Sequence, residues 1–325
     1  MRAIAFRKTG GPEVLTITER TIPEPLAGHV VIKVKAFGLN RAETYFRSGK
    51  WPTSVNVIGI ECVGEVESDP SGRLKKGQKV AAMMGGMGRT IDGTYAEFVR
   101  APSSNVLAVN TLLSWADLAA IPETYATAWT CIHRNLRLEP GQTLLVRGGT
   151  SALGQAAINI AAHHGAKVIA TTRRRDRHAG LARIGAEIVL PETPILSEAT
   201  RNFAAEGIDA VLELVGNSTV LDSMKALRRG GRVCLAGFLG GGTPISDFDP
   251  FSQMPSAVDF SFFGSFVFGM PGFPIDDVPL QAIVDRVEAG DYLARPARVF
   301  RFEEIVEAHR LLESYDANGK VVVTI

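Results

Sequence analysis

Cysteine is scarce in this sequence, and the few present cannot form a covalent framework. The three cysteines, Cys62, Cys131 and Cys234, are widely separated and belong to no paired motif. A disulfide scaffold needs several cysteines at short spacings, and disulfides persist in oxidising compartments. The cysteine usage therefore predicts a cytoplasmic protein in which each thiol is a small core side chain.

An excess of charge of either sign is also missing. The chain has 35 Lys and Arg against 34 Asp and Glu, a net charge of +1. Nucleic-acid binding relies on a surplus of basic residues, so we predict no nucleic-acid partner. No long apolar run is present either, because the most apolar stretch, Phe260 to Phe273, is short and interrupted by Ser, Gly and Pro. We therefore predict no membrane partner.

What is present is the composition of a globular protein with two domains. The chain has 325 residues, of which 46% are hydrophobic and 21% charged, and a single core rarely serves a chain of this length. In the first third, short apolar runs separated by Gly and Pro indicate a β-rich, barrel-like domain. From about Ser114, strands alternate with helices, which predicts an α/β fold with a doubly wound parallel sheet.

A glycine turn inside this second region points to a phosphate-binding site. An apolar run ends at Val146, Gly148 and Gly149 follow, and a helical pattern begins at Ala152. Small residues let the backbone approach a pyrophosphate, and the new helix offers unpaired N–H groups and a positive dipole end. The spacing departs from G-x-G-x-x-G, but Gly154 stands where it lets the helix pack closely on the strand. The context predicts a dinucleotide-binding turn.

The charge that follows the next predicted strand indicates which dinucleotide is bound. An NAD enzyme usually carries an acid here that binds the ribose 2′-hydroxyl. In this chain the strand ends at Thr172 and runs into Arg173, Arg174 and Arg175. Guanidinium groups attract a 2′-phosphate, whereas a carboxylate would repel it. The pattern predicts NADPH or NADP as the cofactor, and a solvated basic helix start is the alternative.

Several segments together resemble the medium-chain dehydrogenase/reductase superfamily. They are Gly10 to Leu15, Gly38 to Arg41, Gly59 to Val66, Gly93 to Phe98, Thr127 to Trp129, Leu138 to Gly141, the glycine turn, and Gly319 to Val323. The resemblance covers nearly the whole chain. It implies a GroES-like catalytic domain over residues 1–121 and 294–325, and a Rossmann NADP-binding domain over residues 122–293.

The departures from the superfamily's zinc enzymes are informative. In zinc alcohol dehydrogenases a Cys occupies the place of Asn40 and a His the place of Ile60, and Ile offers no lone pair to a metal. The cysteine-rich loop of the structural zinc is absent, since no Cys lies between Cys62 and Cys131. We therefore predict no metal site. Glu61 stands where the zinc enzymes also keep an acid, and a structural hydrogen bond is its expected role.

Without zinc, alcohol oxidation loses its Lewis acid. The zinc-free pattern resembles the zeta-crystallin-like quinone oxidoreductases, which implies NADPH-dependent reduction of a quinone or another α,β-unsaturated carbonyl. An enoyl-thioester reductase and a redox-inactive NADPH-binding or structural protein stay open as alternatives. The natural substrate cannot be chosen from the sequence, because substrate loops vary freely on this fold.

The same resemblance implies the residues of the site. Asn40 and Tyr45 would line the nicotinamide and substrate cleft, where both can donate hydrogen bonds to a developing oxyanion. The alternatives are a turn residue for Asn40 and a surface aromatic for Tyr45. The implied cofactor-binding residues are Thr127, Gly149, Ser151, Ala152, Leu153, Thr172, Arg173, Arg174, Gly216, Asn217, Gly237, Phe238, Phe266, Phe268, Asn318 and Lys320.

An assembly is implied as well. The run Val258 to Phe266 has the pattern of the last strand of the cofactor-domain sheet, and an exposed apolar edge strand is a liability unless it is covered. Relatives pair this edge across a two-fold axis, so a homodimer is expected.

Overall fold

The computed structural model describes residues 1–325. The chain forms fifteen strands: β1 (Arg2–Ala5), β2 (Thr16–Glu19), β3 (His29–Leu39), β4 (Glu61–Ser68), β5 (Lys79–Met83), β6 (Phe98–Pro102), β7 (Val106–Ala108), β8 (Thr143–Arg147), β9 (Lys167–Thr172), β10 (Ile188–Pro191), β11 (Ile208–Glu213), β12 (Leu227–Leu235), β13 (Asp259–Phe262), β14 (Arg298–Arg301) and β15 (Val321–Thr324).

Ten α-helices and several shorter turns connect these strands. The α-helices are α1 (Arg41–Ser48), α2 (Trp115–Ala119), α3 (Pro122–Thr130), α4 (Ala152–His163), α5 (His178–Arg183), α6 (Ser197–Thr200), α7 (Val220–Ala226), α8 (Pro250–Gln253), α9 (Leu280–Ala289) and α10 (Ile305–Glu313). A π-helical segment, Cys131–Asn135, follows α3, and 3-10 turns include Arg175–Arg177, Ser265–Val267 and Phe302–Glu304. None of the helices combines the length and apolar character needed to cross a membrane.

The predicted doubly wound sheet is confirmed. One compact unit, Thr127–Gly264 with Asp291–Leu293, contains six parallel strands in the order β10-β9-β8-β11-β12-β13. Counted from β8, this is the order 3-2-1-4-5-6 of the dinucleotide-binding fold, and it reverses between β8 and β11. The strands are continuous apolar runs because helices cover the sheet, and the core includes Leu145, Ile169, Val211, Val220, Met224 and Val233.

The other compact unit is the predicted β-rich one. It comprises Met1–Ala126, Ser265–Gly290 and Ala294–Ile325 and contains a sheet in the order β14-β15-β3-β4-β5-β7. The long strand β3 pairs with β15 and β4, and also with β6, which lies off this path. Register shifts at Val31/Ile32 and at Val34/Ala36 interrupt its ladder with β4. Such bulges bend and twist a strand, which favours the curvature of a barrel-like sheet.

The division into compact units differs from the predicted domain limits, chiefly over Ser265–Gly290. Hydrogen bonds explain this grouping. The Phe268 carbonyl accepts from Asn105 Nδ2 at 2.9 Å, and the Gln281 side chain bonds both backbone groups of Asn110 at 2.9 Å. Limits at residues 121/122 and 293/294 stay a prediction for the folding domains.

One predicted strand is shorter than expected, and one motif of the superfamily resemblance is only partly a regular strand. In the run Val258 to Phe266 only Asp259–Phe262 pairs, in parallel with β12, and the chain turns into a 3-10 helix at Ser265. The motif Gly93 to Phe98 is not a continuous strand, because the Gly93 and Tyr95 N–H groups donate to the carbonyls of Val57 and Ile58 at 2.8 and 3.0 Å. The regular strand β6 begins only at Phe98.

Candidate functional site

The turn after β8 closes against β9 and opens helix α4. Gly148 has a φ of +85°, in the left-handed region that glycine favours. Its N–H donates to Thr171 Oγ1 at 2.9 Å, and the Gly149 N–H donates to the Thr171 carbonyl at 3.0 Å. Ser151 is the N-cap of α4, and its Oγ accepts the Gly154 N–H at 3.0 Å. The structure thus brings Gly149 and Ser151 together at the point of strand-order reversal.

Helix α4 starts so close to this turn that its third residue must be glycine. A Cβ on Gly154 would lie 2.6 Å from the Gly148 carbonyl oxygen and 2.9 Å from Gly149 Cα. The packing role predicted for Gly154 is confirmed by this approach. The first helical residues, Ala152 and Leu153, are held at the helix start, where free N–H groups and the dipole favour an anion.

A buried guanidinium lies directly beneath the turn. Arg147, the last residue of β8, is fully buried. Its Nη2 lies 2.5 Å from Glu192 Oε1, and its Nη1 lies 3.0 Å from Asp222 Oδ2. Thr171 Oγ1, which accepts the Gly148 N–H, itself donates to Glu192. The turn is therefore connected by hydrogen bonds to an internal ion-pair cluster.

The same cluster reaches the loop after β11. The fully buried Glu213 carboxylate has an oxygen 3.9 Å from Arg147 Nε, and it accepts the N–H groups of Val215 and Gly216 at 2.7 and 3.0 Å. Burial raises the pKa of Glu213, while Arg147 and these hydrogen bonds oppose the rise. Arg147 thus holds both the phosphate turn and the loop that contains Gly216 and Asn217.

The loops after β11 and β12 touch through their backbones. Gly216 has a φ of +112°, and a Cβ there would lie 3.1 Å from the Gly237 carbonyl oxygen. A Cβ on Gly237 would lie 2.8 Å from the Leu214 carbonyl oxygen. The Asn217 amide donates to the Thr243 carbonyl at 2.8 Å, and the Phe238 ring centroid lies 6.2 Å from that of Phe262. These predicted cofactor residues share the carboxyl edge of the sheet.

The arginine-rich loop follows β9 on the same edge. Thr172 is buried, and its Oγ1 accepts the Arg174 N–H at 3.1 Å. Arg173 and Arg174 are exposed. The Arg174 guanidinium pairs with Asp176 through contacts of 3.1 and 2.9 Å. The structure therefore presents basic groups at this edge, with one of them paired to an acid of its own loop.

The other predicted cofactor residues have varied surroundings. Thr127, the first residue of the second unit, is buried on α3. Phe266 is exposed, with the Arg89 guanidinium 5.4 Å from its ring, whereas Phe268 is buried as a core residue. Asn318 has a φ of +53° just before the last strand. Their contact with cofactor stays a prediction.

In the first unit, Asn40 and Glu43 form the start of helix α1. Asn40 is the N-cap, and its N–H donates to Glu43 Oε2 at 2.7 Å. The other carboxylate oxygen, Glu43 Oε1, accepts the Ile60 N–H at 3.1 Å. This is the reciprocal part of a capping box, in which the third helical residue reaches back to the N-cap. It joins the helix start to the loop before β4.

The Asn40 side chain is held by a buried ion pair. Lys320 Nζ lies 2.5 Å from Glu61 Oε1 and 2.6 Å from Asn40 Oδ1, and Asn40 Nδ2 donates to Glu61 Oε1 at 2.9 Å. Glu61 is fully buried and Lys320 is 5% exposed. Glu61 Oε2 also accepts the Glu123 N–H at 2.9 Å. The structural hydrogen bond expected of Glu61 is confirmed. Lys320 donates a hydrogen bond to the Asn40 side chain.

Glu43 also belongs to a buried chain of hydrogen bonds that includes Tyr95 and His309. The Tyr95 hydroxyl donates to Glu43 Oε2 at 2.8 Å and contacts His309 Nε2 at 3.0 Å. Because that hydroxyl has one hydrogen, His309 Nε2 carries the proton and Nδ1 accepts from Arg47 Nε at 3.4 Å. Burial lowers the pKa of His309 to about 3, so the imidazole is neutral at neutral pH.

Tyr45 lies on α1 and is not part of this chain of hydrogen bonds. Its ring centroid is 4.8 Å from that of Trp51, and Lys50 Nζ lies 5.8 Å from the ring. Partial burial raises the pKa of the Tyr45 phenol. The phenol is therefore protonated at neutral pH, which makes it a hydrogen-bond donor. Asn40 is the N-cap of the helix that contains Tyr45, and their place in one site stays a prediction.

Sequence reasoning did not find Glu43 or Arg147, two of the charged residues that support the predicted ones. Glu43 had a readable signal, because Asn40 followed three residues later by Glu is a capping-box pattern. Arg147 also had one, since it is a charge at the end of an apolar strand. Lys320 was predicted to bind cofactor, whereas its observed partners are Glu61 and Asn40. No group of three or more His, Cys, Asp or Glu side chains is arranged to hold a metal ion.

Comparison with known families matches both parts of the chain. Residues 26–111 match the family described as alcohol dehydrogenase GroES-like domain, and residues 152–277 match the family described as zinc-binding dehydrogenase. The quinone oxidoreductase of Rattus norvegicus is 30% identical over 273 residues, which cover 82% of this chain and 81% of the relative.

Solved structures share the whole architecture. The mycobacterial protein Rv1454c, complexed with NADPH, is 26% identical with a TM-score of 0.88 over 100% of both chains. The CurK enoyl reductase is 23% identical with a TM-score of 0.86 over 99% of this chain and 98% of that one. At that identity the second likeness concerns the fold alone.

The buried Glu43 gives the first prediction. Burial raises its pKa from 4.5 to about 7, opposed by hydrogen bonds from Asn40 and Tyr95 and by the charge of Lys320. Between pH 4.5 and about 7, Glu43 keeps its proton in the folded protein and loses it in the unfolded chain. The free energy of unfolding therefore falls as pH rises through this range. Glu43→Gln removes this loss, which amounts to about 3 kcal/mol at about 1.4 kcal/mol per pKa unit.

Urea unfolding of both proteins at several pH values from 4.5 to 8 measures this difference. We expect the stability of Glu43→Gln, relative to the wild type, to increase with pH across that range. Glu24→Gln, at an exposed position of the same unit, is the matched control and should run parallel to the wild type. Parallel curves for Glu43→Gln would show that Glu43 does not titrate in this window.

Proposed function

This chain belongs to the medium-chain dehydrogenase/reductase superfamily, among its quinone oxidoreductase-like proteins, and on that premise we propose that it uses NADPH to reduce a quinone or another α,β-unsaturated carbonyl without zinc. The observation that carries the proposal is the anion-binding start of α4 at the strand-order reversal, followed on the same edge by the arginine-rich loop. The NADPH complex of Rv1454c supports the choice of cofactor.

The residues of the second unit fit NADPH. The N–H groups at the start of α4, around Ser151, Ala152 and Leu153, would hold the diphosphate. Arg173 and Arg174 would hold the 2′-phosphate, for which Arg174 has to exchange its pairing with Asp176. When bound, NADPH supplies the hydride. The chain's own residues orient it and keep its phosphates neutralised.

The residues at the place of the catalytic zinc do not fit that metal. Asn40 and Ile60 stand where zinc alcohol dehydrogenases have a Cys and a His, and neither provides the thiolate or imidazole that zinc selects. Glu61 is already paired with the Lys320 ammonium at 2.5 Å, and a second cation there would be repelled. Cys62 is a buried core residue, and burial raises the pKa of its thiol. The reaction that we propose therefore uses no zinc.

Without a Lewis acid, the acceptor has to carry its own negative charge. A quinone does this because its reduction gives an aromatic ring over which the charge spreads. An enone leaves more charge on one oxygen, which needs a hydrogen-bond donor or a proton. Asn40 can only donate a hydrogen bond, whereas the protonated phenol of Tyr45 can also deliver a proton, directly or through water.

Reduction of an enoyl thioester is the second candidate. The observation that favours it is the placement of the Tyr45 phenol, a potential proton donor, on the helix that Asn40 caps, since reduction of an enoyl thioester requires a proton at carbon after the hydride. The CurK enoyl reductase has the same fold. A redox-inactive NADPH-binding protein is the outcome if no acceptor is turned over.

We also propose a homodimer formed through the edge strand β13. This strand has a partner only on its β12 side, and its side chains Phe260 and Phe262 are 40% and 53% exposed. An unpaired apolar edge favours addition of a second strand. A second copy of the same edge gives a closed, two-fold interface in which neither copy leaves its edge open.

The test of the function is a panel of acceptors assayed by NADPH oxidation, after dialysis of the enzyme against EDTA. We expect turnover of 1,4-naphthoquinone and of an enone such as cyclohexenone, and parallel assays with an enoyl thioester test the second candidate. Tyr45→Phe should slow the enone much more than the quinone, and Asn40→Ala should slow both, because one oxyanion donor contributes roughly 10²–10³ in rate.

The outcomes of this panel separate the alternatives. Preference for the enoyl thioester would favour the second candidate, and tight NADPH binding without turnover would favour a redox-inactive protein. Activity lost in EDTA and restored by zinc would overturn zinc independence. If Tyr45→Phe changes kcat/KM by less than about twofold for every acceptor, about 0.4 kcal/mol, Tyr45 only lines the site. Trp51→Phe, at the ring beside Tyr45, controls for lost packing.

The arginine loop gives a prediction about cofactor choice. Replacing Arg173 and Arg174 with Ala should weaken NADPH binding much more than NADH binding, because a charged hydrogen bond contributes roughly 1.5–3 kcal/mol. Fluorescence titration with each cofactor measures both Kd values. Arg183→Ala, an exposed arginine on α5, is the matched control. Equal weakening of NADPH and NADH would refute the assignment of the 2′-phosphate.

The edge strand gives a prediction about assembly. Light scattering at micromolar concentration should yield the mass of two chains, and Phe260→Lys with Phe262→Lys should shift it to that of one. Phe251→Lys, at an exposed residue of α8 outside the sheet, should leave the dimer intact. A wild-type protein with the mass of one chain would contradict the proposal.

A further inference from the structure

We propose that Lys320 and Glu61 are positioning residues that fix the orientation of the Asn40 side-chain amide. The inference rests on the proposed function, in which Asn40 donates a hydrogen bond to the acceptor oxygen. It assigns Lys320 a role toward Asn40 in place of the cofactor contact predicted from the sequence.

The charged groups around the Asn40 amide determine the positions of its oxygen, Oδ1, and its nitrogen, Nδ2. Lys320 Nζ is only a donor, so the amide atom 2.6 Å from it must be the oxygen, Oδ1. The Glu61 carboxylate only accepts, so the amide atom 2.9 Å from it must be Nδ2. A flipped amide would place NH₂ against the ammonium and the carbonyl against the carboxylate. Both contacts would be repulsive, so the ion pair selects one orientation.

The selected orientation leaves one hydrogen of Nδ2 for a substrate. The first is used by Glu61, and the second faces Glu43 Oε1 at 3.5 Å, the limit of a hydrogen bond. This second hydrogen can exchange its weak contact for a carbonyl oxygen. The Lys320 cation at Oδ1 also polarises the amide, which makes Nδ2 a better donor.

The backbone is shaped so that this ion pair can form. At Gly38 on β3, a Cβ would lie 2.4 Å from Lys320 Cε and 2.6 Å from Glu61 Oε1. Any side chain at this position would displace the two charged groups, and its Cβ would also lie 2.9 Å from the Ala119 carbonyl oxygen. Gly38 thus provides a way to displace the pair without removing either charge.

A double-mutant cycle between Lys320 and Asn40 tests the proposal. We expect Lys320→Met to lower kcat for 1,4-naphthoquinone roughly 10- to 100-fold, the effect of one charge-assisted hydrogen bond, with KM and the NADPH Kd within about threefold. In an Asn40→Ala background, Lys320→Met should have almost no further effect, because the residue acts through Asn40. Lys320→Arg, which keeps a charged donor, should recover most of the activity.

Glu61→Gln and Gly38→Ala provide independent variants. Both should lower kcat in the wild-type background and have little effect in the Asn40→Ala background. Lys33→Met, at an exposed position of β3, is the matched control. The melting temperature of every variant is measured, so that loss of fold is not mistaken for loss of positioning.

A second readout does not depend on turnover. In protein labelled with ¹⁵N at asparagine, the Asn40 amide signal is identified by its loss in Asn40→Ala. Lys320→Met should shift this signal, and Lys33→Met should not. If the wild type reduces no acceptor but the signal shifts, the proposed function fails while the orientation of Asn40 stands.

Three results would overturn the inference. One is an unshifted Asn40 signal in Lys320→Met. Another is the same loss of kcat in the Asn40→Ala background as in the wild type. The third is a raised NADPH Kd with unchanged kcat, which would make Lys320 a cofactor ligand as the sequence predicted.

Discussion

Two carboxylates, Glu43 and Glu61, lie fully buried in the first unit, and a buried charge is tolerated only where the fold provides its hydrogen bonds and a counter-charge. Glu61 takes its counter-charge from Lys320, 259 residues later in the chain. The last strand, which pairs with β3, must therefore be in place for Glu61 to be compensated. Glu43 has no cation of its own within hydrogen-bond distance and relies on backbone and tyrosine donors, and burial accordingly raises its pKa.

These carboxylates also explain where helix α1 begins and what surrounds it. Glu43 caps the Asn40 N–H and binds the Ile60 N–H, so the helix start and the loop before β4 share one acceptor. Glu61 caps the start of α3 through the Glu123 N–H. Two helix starts in the first unit thus depend on buried acids. In the second unit the buried charge is a cation, Arg147, and several carboxylates compensate it.

Local patterns predicted the second unit well, because its strands and helices are continuous apolar or periodic segments. The start of helix α4 was predicted at Ala152, and the helix begins there. The end of β13 could not be predicted, since the aromatic run to Phe266 favours a strand throughout and only hydrogen bonding ends it at Phe262. The superfamily resemblance predicted Asn40 and Lys320 as separate site residues. Their contact could not be predicted, because no spacing rule relates positions 280 residues apart.

The ion pair of Glu61 and Lys320 bears directly on the zinc-free reaction that we propose. A lysine ammonium satisfies the charge of the buried acid, as a cation must, but it cannot accept an oxygen lone pair as a metal ion does. In the proposed reaction its effect reaches the acceptor only through the Asn40 amide, whose donor carries a partial charge. An alkoxide would need more stabilisation than such a donor provides. Conjugated acceptors, which spread their own negative charge, are therefore the substrates that we propose for this arrangement.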